Sequence, residues 1–300
     1  MSILPAVIRP APRATTTVQT LLEKHLRREP IVMLTAYDYP MARAAEDAGV
    51  DAILVGDSLA MVVLGHDNTL SVTMEEMLHH ARAVSRGARS PLLIGDMPFM
   101  SYQADAAQAV LNAGRYLKEG GMNAVKLEGG RQVAPTAALI ARAGIPVLGH
   151  VGLTPQSVNA LGGWVVQGRT AAAARRLIDD ALALEDAGCF CVVVESVPSR
   201  VAEQIAARLA IPTIGIGAGP AVSGQVLVAH DILGLFDRGT PRFARRYAEV
   251  GEAVTAAFRA FRDDVVARRF PGVEHAYTMP DAEWEALVSS NADSTGSETR

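Results

Sequence analysis

Five ionisable residues each stand directly behind or at the end of a short apolar run: Asp57, Asp96, Glu128, His150 and Glu195. A lone polar residue there is ordinarily a turn former or a helix cap. Four carboxylates gathered in one place are different, because crowded anions raise one another's pKa values and are costly to bury without a counter-charge. A cation is therefore implied. Oxygen donors with no Cys or His cluster beside them point to a hard ion such as Mg2+, which takes one or two carboxylates together with water and substrate oxygens. A 2-oxo acid offers such oxygens in its carboxylate and keto groups, and a metal bound to them acts as a Lewis acid toward the neighbouring carbon. A general base must then face the metal across the substrate.

Lys126 and Glu128 are two residues apart, so on a strand both side chains face the same way. Lys126 has two open readings, a counter-charge for a substrate carboxylate or a Schiff-base nucleophile, and strand position does not choose between them. The presence of a metal and carboxylates as the electron sink favours the counter-charge. His66 and His230 are read as loop-orienting residues, and His79 and His80 as surface or packing residues of a helix. The run Gly215-Ile216-Gly217-Ala218-Gly219 is rich enough in glycine for a phosphate loop but lacks the GxGxxG spacing.

What positions these residues is a repeat of short apolar runs alternating with helical patterns, the signature of a parallel sheet with crossover helices. Eight runs are present: Ile31 to Ala36, Ala52 to Gly56, Leu92 to Gly95, Ala124 to Leu127, Val147 to Gly149, Cys191 to Val194, Thr213 to Gly217 and Val226 to Ala229. Eight such units close an α/β barrel of the (β/α)8 TIM type, whose active face is the C-terminal rim of the strands. The five residues above would share that rim. Thr17 to Arg28 reads as a capped helix able to plug one barrel end. Arg245 to Arg268 reads as a long amphipathic helix, either the last barrel helix or an oligomer contact. The domain expectation is a flexible tail over 1–15, a catalytic barrel over 16–288 and a disordered tail over 289–300, the last for its Ser, Asn, Asp, Thr and Gly content.

Bulk properties exclude several function classes. The formal net charge of −4 comes from interspersed acids and bases, so no basic face asks for nucleic acid or an anionic membrane. No run approaches the ~18 apolar residues that span a bilayer, and no secretory signal opens the chain. Met1 to Arg13, acid-free with Arg9 and Arg13, faintly imitates a transit peptide and is read as a frayed terminus. Cys189 and Cys191 lie two apart in an apolar run, as buried thiols on one strand face rather than a disulfide or metal cage, which fits a reducing cytoplasm.

At the rim residues the sequence closely resembles the ketopantoate hydroxymethyltransferase family. The resemblance runs from about Thr16 to about His275 through Leu34-Thr35-Ala36-Tyr37-Asp38-Tyr39, Val55-Gly56-Asp57-Ser58-Leu59, Gly65-His66-Asp67, Asp96-Met97-Pro98-Phe99, Val125-Lys126-Leu127-Glu128-Gly129-Gly130, Gly149-His150-Val151-Gly152-Leu153-Thr154-Pro155-Gln156-Ser157 and Val194-Glu195-Ser196-Val197-Pro198. It implies that Asp57, Asp96 and Glu128 form a magnesium site, that Ser58 and Lys126 help hold a keto acid, and that Glu195 accepts the proton. The expected substrate-binding set is thus Asp57, Ser58, Asp96, Lys126 and His150, the last orienting groups around the base. The resemblance further implies 5,10-methylenetetrahydrofolate as one-carbon donor, 3-methyl-2-oxobutanoate as acceptor, 2-dehydropantoate as product in pantothenate biosynthesis, and a homodecamer. Two residues depart from the family pattern: Ala60 in place of a usual Gly, and Ser223 in place of an Asp before Gly224-Gln225. The rivals are another Mg-dependent 2-oxo acid lyase or mutase on the same barrel, and a silent metabolite-binding barrel. The crowded rim carboxylates argue against the second.

Overall fold

The computed structural model describes residues 14–294, with side chains described as far as Ser289. The chain divides into two compact units, Met1–Ala248 and Glu249–Arg300. In the first, eight strands close into a barrel: β1 (Ile31–Thr35), β2 (Ala52–Val55), β3 (Leu92–Asp96), β4 (Ala124–Glu128), β5 (Val147–Gly152), β6 (Cys191–Glu195), β7 (Thr213–Ile216) and β8 (Gly224–Leu227). Each strand pairs in parallel with the next, and β8 pairs back onto β1. The register aligns the chemistry, setting Asp96 beside Lys126, Glu128 beside His150, and Gly152 beside Glu195.

These strands are apolar on both faces because helices cover the outside while the barrel fills its own inside. Inward positions recur every second residue. Their lower layers, including Ile31, Met33, Leu92, Ile94, Ala124 and Leu148, make one buried cluster. The outward positions form a second cluster with the helices, of which Met74–Gly87 contributes Met77, Leu78, Ala81 and Val84. That helix begins where Thr73 and Glu76 form a reciprocal capping box. The N-terminal helix, Val18–Leu26, is capped the same way by Thr17 and inserts fully buried Leu21 into the inner cluster, so it closes the barrel end opposite the rim as expected.

Several details differ from the sequence reading. No helix joins β7 to β8, only residues 217–223. β8 begins at Gly224, two residues before the run taken for it, because only glycine fits there: an added Cβ would lie 2.3 Å from the Ile31 carbonyl oxygen. The two free thiols do not share a strand face. Cys189 precedes β6 and packs with the outer cluster, whereas Cys191 faces the barrel interior. The long helix starts later than expected, at Val250, runs to Val266 and belongs to the second unit, where it buries none of its residues. A further helix covers Asp281–Ser294, so the segment read as disordered from 289 starts in a helix whose first turn carries the favourable acids Asp281 and Glu283. Residues 1–13 of the expected N-terminal tail and 295–300 of the C-terminal one lie outside the described residues. No helix among the described residues is long and apolar enough to cross a membrane.

Candidate active site

At the C-terminal end of the barrel the inward positions turn from apolar to ionisable. On β3 the series Leu92, Ile94 ends at Asp96. On β4, Ala124 is followed by Lys126 and Glu128, on β5 Leu148 by His150, and on β6 Cys191 and Val193 by Glu195. Asp57 and Ser58 follow β2. All seven residues line one cavity of about 610 Å3, a size that accommodates drug-sized ligands. The barrel rim therefore brings together Asp57, Asp96, Glu128, His150 and Glu195, the five residues that chain order singles out.

Lys126 holds the centre, its Nζ 2.8 Å from Asp96 Oδ1 and 3.3 Å from Glu128 Oε1. The Asp96 contact is an ion pair without hydrogen-bond alignment, so that oxygen keeps acceptor capacity although it is buried. Asp96 Oδ2 accepts from the Asp57 backbone N–H at 3.1 Å. Glu128 is more fully engaged, since Oε2 accepts the Gln156 N–H at 2.9 Å while Oε1 faces Lys126 and, at 3.4 Å, His150 Nδ1. On the other side of the imidazole, His150 Nε2 lies 3.1 Å from Glu195 Oε2. His150 thus bridges the carboxylate cluster and the expected base.

Electrostatics divides the carboxylates. Burial raises Asp57 well above the usual range, and Asp96 and Glu128 add to it. Burial also raises Asp96, outweighing the Lys126 ammonium. Burial acts on Glu128 too, but Lys126 and His150 overcome it and bring Glu128 down to about 2. Burial and Lys126 work against a proton on His150, yet Glu128 and Glu195 win and raise it to about 9. Lys126 itself is held charged by the carboxylates despite its burial. One ammonium and one imidazolium thus leave Asp57 and Asp96 short of positive charge. Among the described residues no three His, Cys, Asp or Glu side chains already converge as a ligand set. Lys126 Nζ stands between the Asp96 and Glu128 carboxylates. The donor set fits a hard cation at Asp57 and Asp96 with substrate oxygens completing it.

Local structure fixes these positions. Gly152 lies at φ +100° with room for no side chain, since a Cβ would meet the Glu195 carbonyl oxygen at 2.1 Å. That close approach lets Leu153 N–H donate to Glu195 O at 2.9 Å. Ser196, just after the base, sits at φ 48°, a strained conformation for a non-glycine residue, held by a 2.8 Å bond from its N–H to Ile216 O. Ser58 shares a 2.8 Å hydrogen bond with the buried Tyr37 hydroxyl.

Sequence reasoning missed four contributors. Gln156 Nε2 donates to Asp57 Oδ2 and to Met97 O, both at 2.9 Å, and its Oε1 accepts from Tyr102 OH at 2.7 Å. Only its place in Thr154-Pro155-Gln156, directly after β5, hinted at this. Tyr37 stood only inside the Leu34 to Tyr39 motif, without a role of its own, and Tyr102 carried no pattern at all. Asp231 lines the cavity from the short helix beyond β8, one residue past His230, which directly follows the eighth apolar run. Of the histidines set aside, His80 Nδ1 lies 2.6 Å from Tyr37 O, and His66 acts through its carbonyl, which accepts from Arg238 at 3.1 Å. Arg238 also donates to Gly65 O at 2.7 Å and Asp67 Oδ1 at 3.0 Å, fastening one side of the cavity mouth. Ser223 restores order to its loop, its hydroxyl lying 2.8 Å from His25 Nδ1 and accepting from Thr213 N–H at 3.0 Å.

Residues 15–273 match the family model described as ketopantoate hydroxymethyltransferase. The chain is 55% identical over 280 residues to the 3-methyl-2-oxobutanoate hydroxymethyltransferase of Oleidesulfovibrio alaskensis, covering 92% of this chain and 96% of that one. It is 54% identical to that of Carboxydothermus hydrogenoformans over 88% of this chain and 95% of that one. Among solved structures it resembles phosphonopyruvate hydrolase in complex with oxalate and Mg++ (TM-score 0.61, 15% identity, 95% and 100% coverage). It also resembles 2,3-dimethylmalate lyase, a member of the PEP mutase/isocitrate lyase superfamily (TM-score 0.55, 19% identity, 94% and 99% coverage). At those identities the structural likeness speaks to the barrel alone. Sequence decides the rest, and the chain belongs to the ketopantoate hydroxymethyltransferase family.

Proposed function

We propose that this chain transfers a one-carbon unit from 5,10-methylenetetrahydrofolate to 3-methyl-2-oxobutanoate, giving 2-dehydropantoate for pantothenate biosynthesis, with Mg2+ held directly by the Asp57 and Asp96 carboxylates and with Glu128, the third residue of the implied magnesium set, behind them. The observation that carries this reading is the continuous chain Asp96–Lys126–Glu128–His150–Glu195 opening on one cavity. Magnesium there would draw electron density from a bound 2-oxo acid and acidify the adjoining carbon. Lys126 and Ser58 hold the keto acid, the ammonium acting as a counter-charge. The Glu195 carboxylate takes the proton from the branched carbon. The His150 imidazolium, 3.1 Å away, orients Glu195 and steadies its charge before transfer. Glu128, engaged on both oxygens, fixes His150 from the other side. The deprotonated carbon then forms a bond to the methylene carbon of the donor, which enters through the rest of the cavity. Both methylene carbon–nitrogen bonds break, water supplies the hydroxyl group, the two nitrogens take up water's other proton and the one removed from the keto acid, and tetrahydrofolate leaves.

The reading extends to a cytoplasmic homo-oligomer, a decamer on the family pattern. Its support is the helix Val250–Val266, which leaves Phe258 and Phe261 exposed. Light scattering reads the stoichiometry directly.

The test of function is an anaerobic assay with both substrates. Product should form only with folate and Mg2+, chelation should abolish turnover, and added Mg2+ should restore it. Borohydride should trap no adduct on Lys126. Folate-independent carbon–carbon cleavage would make the chain a lyase instead, and full turnover after exhaustive chelation would remove the metal from the account.

A further inference from the structure

The cavity is larger than a branched keto acid needs, and its polar groups fall into two sets. One is the Lys126 cluster with Glu195. The other is Asp231, in the short helix Ala229–Ile232 that follows β8, together with Arg238, Thr240 and Arg242 of the segment after it. Asp231 is 7% exposed, lines the cavity, and among the described residues no hydrogen bond or ion pair reaches its carboxylate. Burial pushes it up to about 6, against the longer-range pull of Arg246, whose Nε donates to Thr240 Oγ1 at 2.8 Å. Its carboxylate opens onto the cavity, where water satisfies it until a ligand with matching donors takes that place. Phe236 and Phe243 line the same cavity, offering apolar surface to a flat ring.

We propose that Asp231 recognises the one-carbon donor by accepting paired hydrogen bonds from the amino-pyrimidinone edge of its pterin ring, the ring N–H and the 2-amino group. This rests on the folate-dependent reading above. A carboxylate has two acceptor oxygens in one plane, and that edge presents two parallel N–H donors. Recognition here leaves the proton-abstracting groups untouched, since Asp231 contacts none of Lys126, Glu128, His150 or Glu195 through a hydrogen bond or ion pair. Binding and enolisation would therefore be read out separately.

The experiment compares 5,10-methylenetetrahydrofolate with its 2-desamino-2-methyl analogue, which keeps the reactive methylene but lacks one donor. The wild-type enzyme should discriminate against the analogue by about 10- to 100-fold in kcat/KM, the range for a hydrogen bond to a charged group. In Asp231→Asn the acceptor pair becomes one acceptor and one donor, so KM for the natural donor should rise by a similar factor. Its discrimination against the analogue should nearly vanish. Solvent deuterium exchange into 3-methyl-2-oxobutanoate without folate should persist in this variant, confining the loss to the donor side. Equal use of both donors by the wild-type enzyme overturns the proposal whether or not the variant folds. Undiminished discrimination by Asp231→Asn does the same, as does a parallel loss of exchange and transfer, which would make Asp231 structural. Absence of exchange in the wild-type enzyme is a different result, overturning the hydroxymethyl-transfer reading itself.

Discussion

The two ends of the barrel are built from the same eight strands yet differ in kind. At the N-terminal end the inward side chains are Ile31, Met33, Leu92 and Ala124, closed by Leu21 from the first helix. Two or four residues further along the same strands, the inward side chains are Thr35, Asp96, Lys126 and Glu128. The closed end gains stability from apolar burial and leaves no polar group to satisfy. The open end buries charges that are only partly matched, a cost that an apolar filling would avoid. The contrast shows where stability resides and where it has been exchanged for chemistry.

Substitutions at each end should therefore have opposite signatures. The largest effect is expected at the open end: Asp96→Asn should weaken Mg2+ or Mn2+ binding by more than the roughly 10- to 100-fold typical of losing a group behind a ligand. Thermal stability without metal should hold or rise, because burial penalises the Asp96 charge by more than the Lys126 ammonium supports it. Calorimetric titration and a melting curve check both halves. At the closed end Leu21→Ala should cost about 2–5 kcal/mol of unfolding free energy while leaving metal affinity per folded molecule unchanged. Loss of metal affinity in Leu21→Ala would dissolve the distinction between the ends. A smaller effect is expected at Ser223, where Ala removes the hydroxyl that bridges His25 and Thr213. About 0.5–1.5 kcal/mol should be lost, without change in turnover.

Most of the open end was legible because a parallel barrel sends the residue after each strand to one rim, so Asp57, Asp96, Glu128, His150 and Glu195 follow from chain order. The fold was legible for the same reason, in the alternation of short apolar runs with helical patterns. What stayed hidden depends on approach in space rather than on order. Gln156 reaches Asp57 across 99 residues of chain, and Tyr102 reaches the Glu128 backbone across 26, with no periodicity to announce either. The start of β8 is set by how closely Gly224 approaches Ile31, and the two cysteines separate because β6 begins between them. Asp231 stayed just out of reach. Carried past β6 to the last run, the strand-end rule stops at His230, one residue short of it.

The central claim is that Glu195 removes the proton from the branched carbon of the keto acid, with Mg2+ present and before folate takes part. NMR of 3-methyl-2-oxobutanoate in deuterated buffer tests it directly, with enzyme and Mg2+ but no folate. The wild-type enzyme should exchange that hydrogen, and Glu195→Gln should lose exchange by about 10²- to 10⁴-fold while still binding keto acid and metal. A folded Glu195→Gln enzyme that exchanges at the wild-type rate would contradict the account and remove Glu195 as the base.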